Sequence, residues 1–186
     1  MSTNKVLDLR KEYPREFEIP FNSSTKTHLV IHQLKKSDSH FLLILKGAPE
    51  RIISYCSSVL TDRDVFPING RFKSNFEKAL EYFGGLGERV LGVAFYCLPI
   101  ETYPKNYRFN NETKNFPKDN LTFAGLVSLI DPPKPGVKLS INRCRIAGVK
   151  VAMVTGDHPL TARTIAESVD LISKFFIFSS LLYLFF

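Results

Sequence analysis

The sequence predicts an α/β protein in two parts: an antiparallel sheet carrying helices, followed by part of a doubly wound α/β unit. Three observations predict it. Apolar runs alternate with turn residues between positions 16 and 46, two adjacent prolines interrupt the chain at "DPPKPG" (131–136), and beyond them helix, strand, turn and helix patterns succeed one another.

Taken in order, "EFEIPF", "THLVIHQL" and "HFLLILK" read as strands, with "NSSTK" and "KKSDS" as the turns of a meander. Pro49 and Glu50 suit a first helical turn, where a missing N–H costs little and a carboxylate meets the positive end of the dipole, so "PERIISYCSSVL" is expected to be helical. Its inner face would be Ile52, Ile53 and Cys56. Phe72, Phe76, Ala79, Leu80 and Phe83 recur at helical spacing and "GGLG" (84–87) stops that helix. "RVLGVAFYCL" reads as a buried strand, Pro99 to Asn120 as a long surface connection, and "LTFAGLVSLI" as another strand. The prolines at 132 and 133 fix φ and forbid helix, which places a domain boundary there. After it come helix "GVKLSINRCRIAG" closed by Gly148, strand "VKVAMVT", turn "GD" and helix "PLTARTIAESVDLI". The resulting domains are 1–130 and 131–174, with an uncharged apolar tail "FFIFSSLLYLFF" at 175–186. That tail falls short of the roughly 17–25 residues of a spanning helix and is expected to make the chain associate or adhere to membranes without crossing them.

At 186 residues and 44% hydrophobic, the chain can bury a substantial core. A net charge of +7 favours anionic partners. The basic residues are scattered and lack aromatic interleaving, so no nucleic-acid partner is expected. Cys56, Cys97 and Cys144 are odd in number and far apart, which argues against disulfides and zinc and for a reducing, cytosolic setting. The charged amino terminus has no signal-peptide pattern. No metal site is expected, because His28, His32, His40 and His158 have no ligand-like spacing.

Two strand-to-helix turns can carry chemistry. In "VTGDHP", Thr155 offers a hydroxyl, Gly156 an open backbone N–H, and the helix after them a partial positive charge, which together suit a phosphoryl group. Asp157 would repel phosphate unless it binds a cation or a neighbouring loop. The plainer account is an ordinary turn with Asp157 as helix cap. In "LKGAPER", Lys46 can meet an anion and Gly47 lets a ligand approach the backbone, against the plainer account of a solvated lysine beside a routine turn. Phe21 in "PFNSSTK" can stack on a base or serve the core, with Lys26 nearby. Arg89 in "GERVLG" can clamp phosphate or ribose, or pair with Glu88.

Together, "EIPFNSSTK", "KGAPERI", "GGLGERVLG", "LIDPPKPGV" and "VAMVTGDHPLTA" resemble the cytoplasmic segment of P-type cation-transporting ATPases. "EIPFNS" with "TGDHPLTA" is more similar to sodium/potassium and proton/potassium pump alpha subunits than to calcium pumps. The resemblance covers residues 16 to about 173. It implies that residues to 130 are the later part of the nucleotide-binding domain, that Asp131, Pro132 and Pro133 are the hinge, and that the residues beyond this hinge begin a haloacid-dehalogenase-like phosphorylation domain. It implies ATP as ligand, with Phe21 on adenine and Lys26, His28, Lys46, Gly47 and Arg89 lining the pocket. It implies that Thr155, Gly156 and Asp157 face the phosphorylated aspartate and its Mg²⁺, and that a parent pump at the plasma membrane pairs with a beta subunit.

The sequence also departs from the family. It contains neither DKTGT, whose Asp is phosphorylated, nor GDGVND, which helps hold Mg²⁺. His28 stands where the sodium pump usually has Gln. The expected function is therefore nucleotide binding without hydrolysis or transport by this chain, because phosphoryl transfer needs an acceptor in line with the γ-phosphate. The alternatives are a non-catalytic interaction protein that associates with a full-length pump or its partners and, third, a haloacid-dehalogenase-like phosphatase.

Overall fold

The computed structural model describes residues 3–34 and 39–172. The apolar tail at 175–186 lies outside them. Two compact units account for the described residues, one from residues up to 70 with 91–127, the other from 71–90 with 128 onward.

The first unit is built on a seven-stranded sheet. A helix the sequence did not announce, α1 (Thr3–Glu12), leads into β1 (Arg15–Asn22), β2 (Thr27–Gln33) and β3 (Ser39–Gly47), the expected antiparallel meander. The short helix α2 (Pro49–Ser54) comes next, then β4 (Cys56–Thr61) and β5 (Asp64–Pro67). Helix α3 (Gly70–Gly85) precedes β6 (Arg89–Pro99), and β7 (Leu121–Leu129) completes the sheet in the order β1-β2-β3-β6-β7-β4-β5. All the pairings described are antiparallel except that of β4 with β7.

Register fixes which face each side chain takes. Leu29, Ile31, Phe41, Leu43, Leu45, Ala94 and Leu98 are buried on one face of β2, β3 and β6. Helix α2 covers part of that face where Gly92 leaves room, since a Cβ there would come within 3.1 Å of both Ile52 Cβ and Pro49 Cα. Aromatic rings from the 99–120 connection cover another part: Phe109 packs edge-on against Phe41 at 5.1 Å, and the buried Phe116 lies 5.4 Å from Phe17. That connection is without helix or strand, as expected, but it is not merely a surface crossing. Tyr107 donates its hydroxyl hydrogen to Asn115 O (2.9 Å) and Asn115 Nδ2 donates to Arg108 O (2.8 Å), so the loop closes on itself over the core.

Two expected elements differ. The helix expected over 49–60 ends at Ser54, and Cys56 onward is strand. Val59 faces Phe66 on β5 and Phe123 on β7, a two-sided ladder that a β-branched run satisfies better than a second helical turn. Residues 149–155, expected as a strand, join no sheet among the described residues, because none offers them a partner.

The second unit holds α4 (Val137–Ile146) and α5 (Pro159–Ser168). Gly148 ends α4 as expected, with φ +73° and its N–H donating to Arg145 O at 3.0 Å. Among the described residues no helix is long and apolar enough to cross a membrane.

Cys56, placed on the inner side of α2 by sequence, instead opens β4. Its thiol donates to Ile52 O at 3.2 Å, and burial pushes its pKa up to about 12. Alkylation at pH 8 is expected to label Cys97, which is exposed, and to spare Cys56 until the unit is unfolded, because the thiolate is the reactive species. Mass spectrometry of the labelled chain checks this. Labelling of Cys56 at the same rate as Cys97 would contradict it.

Candidate functional site

The face of the sheet opposite the core carries the sequence-predicted residues of the first unit. On β2, residues alternate with buried Leu29 and Ile31, which puts His28 on this other face; on β3 the same alternation puts Lys46 there. His28 pairs with Lys46 across the ladder and Thr27 with Gly47, so the end of β2 delivers an imidazole beside an ammonium. Val30, Ile44, Val93 and Phe95 extend the face as half-buried apolar surface. Phe21 stands near the same end of β1, one residue before the Asn22–Thr27 pair, and is 62% exposed, so its ring is free for a ligand to cover.

Gly47 has a reason of its own. Lys26 takes a left-handed conformation, φ +54°, at the turn between β1 and β2, and its carbonyl accepts the Ala48 N–H at 3.0 Å. A Cβ on Gly47 would sit 2.1 Å from that same oxygen. The backbone that approaches Gly47 is thus the chain's own.

One residue that the sequence motifs did not mark enters this site. Glu18 on β1 pairs with Val30 and so shares the face of His28, and its carboxylate oxygen lies 2.8 Å from His28 Nε2. The hydrogen bond from His28, with Arg15, His28 and Lys46 as nearby positive charge, holds the Glu18 carboxyl below its usual range. The available signal was its parity, because a charged residue between Phe17 and Ile19 must face away from them.

In the second unit, Arg89 and the Thr-Gly-Asp turn come together. Arg89 Nε lies 2.8 Å from Asp157 Oδ1 and Nη2 donates to Oδ2 at 3.1 Å, a two-pronged pair. Thr155 Oγ1 donates to Asp157 Oδ2 at 2.9 Å and accepts the Asp157 N–H at 3.1 Å. Asp131 lies 3.6 Å from Arg89 Nη1. Pro132 and Pro133 are exposed. Gly156 has open space where a Cβ would go. The N-cap of α5 is His158, whose Nδ1 accepts from Leu160 N at 3.3 Å, rather than Asp157.

The turn is supported from the end of α3. Thr161 Oγ1 donates to Glu88 O at 3.1 Å and Thr164 Oγ1 to Gly84 O at 3.3 Å, while Gly84 and Gly87 leave room for Leu160 and Thr164. The Arg89–Asp157 pair is half-exposed, 52% and 16%. A double-mutant cycle of Arg89→Met and Asp157→Asn, read by urea unfolding, is expected to give a coupling of about 1 kcal/mol that shrinks with salt. A coupling indistinguishable from zero at low salt would mean that the pair contributes no stability.

Both Asp157 oxygens are engaged, so a cation at this carboxylate has to displace the guanidinium. Among the described residues no group of three or more His, Cys, Asp or Glu side chains is arranged to hold a metal ion.

Comparison with known proteins identifies the lineage. Residues 1–136 match the family model described as P-type ATPase, cytoplasmic domain N. The chain is 47% identical over 173 residues to the sodium/potassium-transporting ATPase subunit alpha-4 of Rattus norvegicus, covering 93% of this chain and 17% of that protein. It is likewise 47% identical over 169 residues to the potassium-transporting ATPase alpha chain 2 of Oryctolagus cuniculus, 90% of this chain and 15% of the relative. The sodium/potassium-transporting ATPase subunit alpha of Tetronarce californica matches at 47% over 169 residues, 91% and 16%. The chain therefore spans about a sixth of the length of these relatives, and with its mixed α/β fold and mostly antiparallel sheet it belongs to the P-type ATPase family, through the segment described as cytoplasmic domain N.

Proposed function

We propose that this chain binds adenine nucleotide weakly on the outer face of the β1–β2–β3 ladder and does not turn it over. The observation that carries the reading is the register that sets His28 beside Lys46 and Thr27 beside Gly47, next to an exposed Phe21. Phe21 stacks on the base, and Lys26 and Lys46 gather the phosphates. Arg89 joins them on resemblance alone, since Asp157 holds it in this structure. The family implies ATP with Mg²⁺, and the phosphate-facing role of Thr155, Gly156 and Asp157 belongs to the same proposal. So do the boundary at Asp131–Pro133, a cytoplasmic location at the plasma membrane, ion exchange by a parent pump and its beta subunit. Autophosphorylation is not expected of this chain, which contains no DKTGT.

NMR titration of the full chain with ATP tests the reading. Shifts are expected around residues 20–28 and 45–51, with millimolar affinity, about −4 kcal/mol. Phe21→Ala is expected to lose roughly 1–3 kcal/mol of stacking, enough to abolish measurable binding, while leaving stability unchanged because the ring is exposed. An absence of shifts in both segments refutes the proposal.

A second reading, a non-catalytic interaction surface, is favoured by the apolar exposure of Leu139, Ile146, Val149 and Val154 in the second unit. Self-association or capture of a pump segment that persists after all four are made polar would remove it.

A further inference from the structure

We propose that Glu18 is a positioning residue that fixes the His28 ring as a hydrogen-bond acceptor, and that this makes the site prefer 6-amino over 6-oxo purine nucleotides. The proposal rests on the nucleotide reading above and deepens it.

A neutral imidazole carries one N–H and one lone pair, and whichever nitrogen faces a carboxylate carries the hydrogen. His28 Nε2 faces Glu18 Oε1 at 2.8 Å, so the hydrogen resides on Nε2 and the lone pair on Nδ1. Nδ1 has no protein partner among the described residues, and no side-chain nitrogen or oxygen there is both buried and unsatisfied. The free nitrogen is therefore open to solvent although the side chain as a whole is only 18% exposed. A ring held at one nitrogen and open at the other selects ligands that donate.

The surroundings say where such a donor comes from. Lys46 lies opposite His28 on β3 and Phe21 near the same end of β1, so a base on Phe21 with its phosphates toward the lysines passes its edge along His28. The exocyclic amino group of adenine donates to Nδ1. The 6-oxo group of hypoxanthine brings two lone pairs together and gains nothing. The hydrogen bond forms at the ligand without bond breaking, and Glu18 touches only His28.

The full chain, labelled with ¹⁵N in histidine, is titrated with ATP and with inosine triphosphate. The unliganded ring is expected to show the Nε2–H tautomer, and ATP is expected to bind about two- to tenfold more tightly than the inosine nucleotide, the value of one hydrogen bond. Glu18→Ala is expected to shift the ring to a tautomer mixture and to bring that preference toward one, while ATP still perturbs Phe21 and Lys46. His28→Phe keeps a ring of similar bulk and is expected to abolish the preference. A wild-type ring in the Nδ1–H form, or a Glu18→Ala variant with tautomer and preference unchanged, overturns the proposal. Equal affinity for the two nucleotides with intact shifts at Phe21 and Lys46 overturns the specificity alone. No shift with either nucleotide overturns the nucleotide reading and the specificity together.

Discussion

Gly47→Ala is expected to destabilise the first unit by about 2–4 kcal/mol, from overpacking against backbone and the strain on a hydrogen bond. The new methyl carbon would be placed 2.1 Å from Lys26 O and 3.0 Å from Thr27 Cα. A flexible side chain would swing away, but these are backbone atoms. Lys26 is already held at φ +54°, and its oxygen is committed to Ala48 N. Relief therefore means parting β2 from β3 at the Thr27–Gly47 pair, which carries Lys26, His28 and Lys46 apart. Urea unfolding of the full chain measures the loss. Gly70→Ala serves as control, since a Cβ there meets nothing within 4 Å, and its effect is expected to stay within about 0.5 kcal/mol. A Gly47→Ala midpoint equal to that of the control would show that the turn yields freely and that Gly47 is not required by packing.

Legibility in the sequence tracks the range of the interaction that decides each element. The meander was legible because its alternation and turns are local, as was α3, whose phenylalanines recur with the helical period. Strand β4 was not, because Pro49 and Glu50 announce a helix correctly while only Phe66 and Phe123, distant in sequence, decide that Val59 is strand. The same holds for Phe116, whose burial depends on Phe17 and Phe109 in a loop that reads as polar. Within the site, Lys46, Gly47 and His28 were marked by motif. Glu18 was not, because its partner lies ten residues away across a strand pair and only register joins them. Arg89 was marked as a ligand or a partner of Glu88, and the structure gives it Asp157, 68 residues away. The Asp157 carboxylate thereby finds the neighbouring loop that its place beside a phosphate would require.

The other large effect is expected at Ile52. Replacing it with alanine is expected to cost about 2–5 kcal/mol, the range for emptying a fully buried aliphatic site. Ile52 is 0% exposed and sits on α2, a helix of six residues. A helix that short does not persist on its own propensity, since one and a half turns scarcely offset nucleation, so its order comes from Pro49 and Ile52 seated over Gly92. Truncation leaves the Cβ that touches Gly92 and removes the rest, opening a cavity between α2 and the β3–β6 ladder. Amide exchange at residues 50–55 is therefore expected to accelerate beyond the change in global stability, because α2 opens before the sheet does. Ile52→Val, which keeps most of the volume, is expected to cost only about 0.5–1.5 kcal/mol. If Ile52→Ala costs under about 1 kcal/mol and exchange at 50–55 is unaltered, α2 is held by its chain connections to Gly47 and Cys56 and not by this contact.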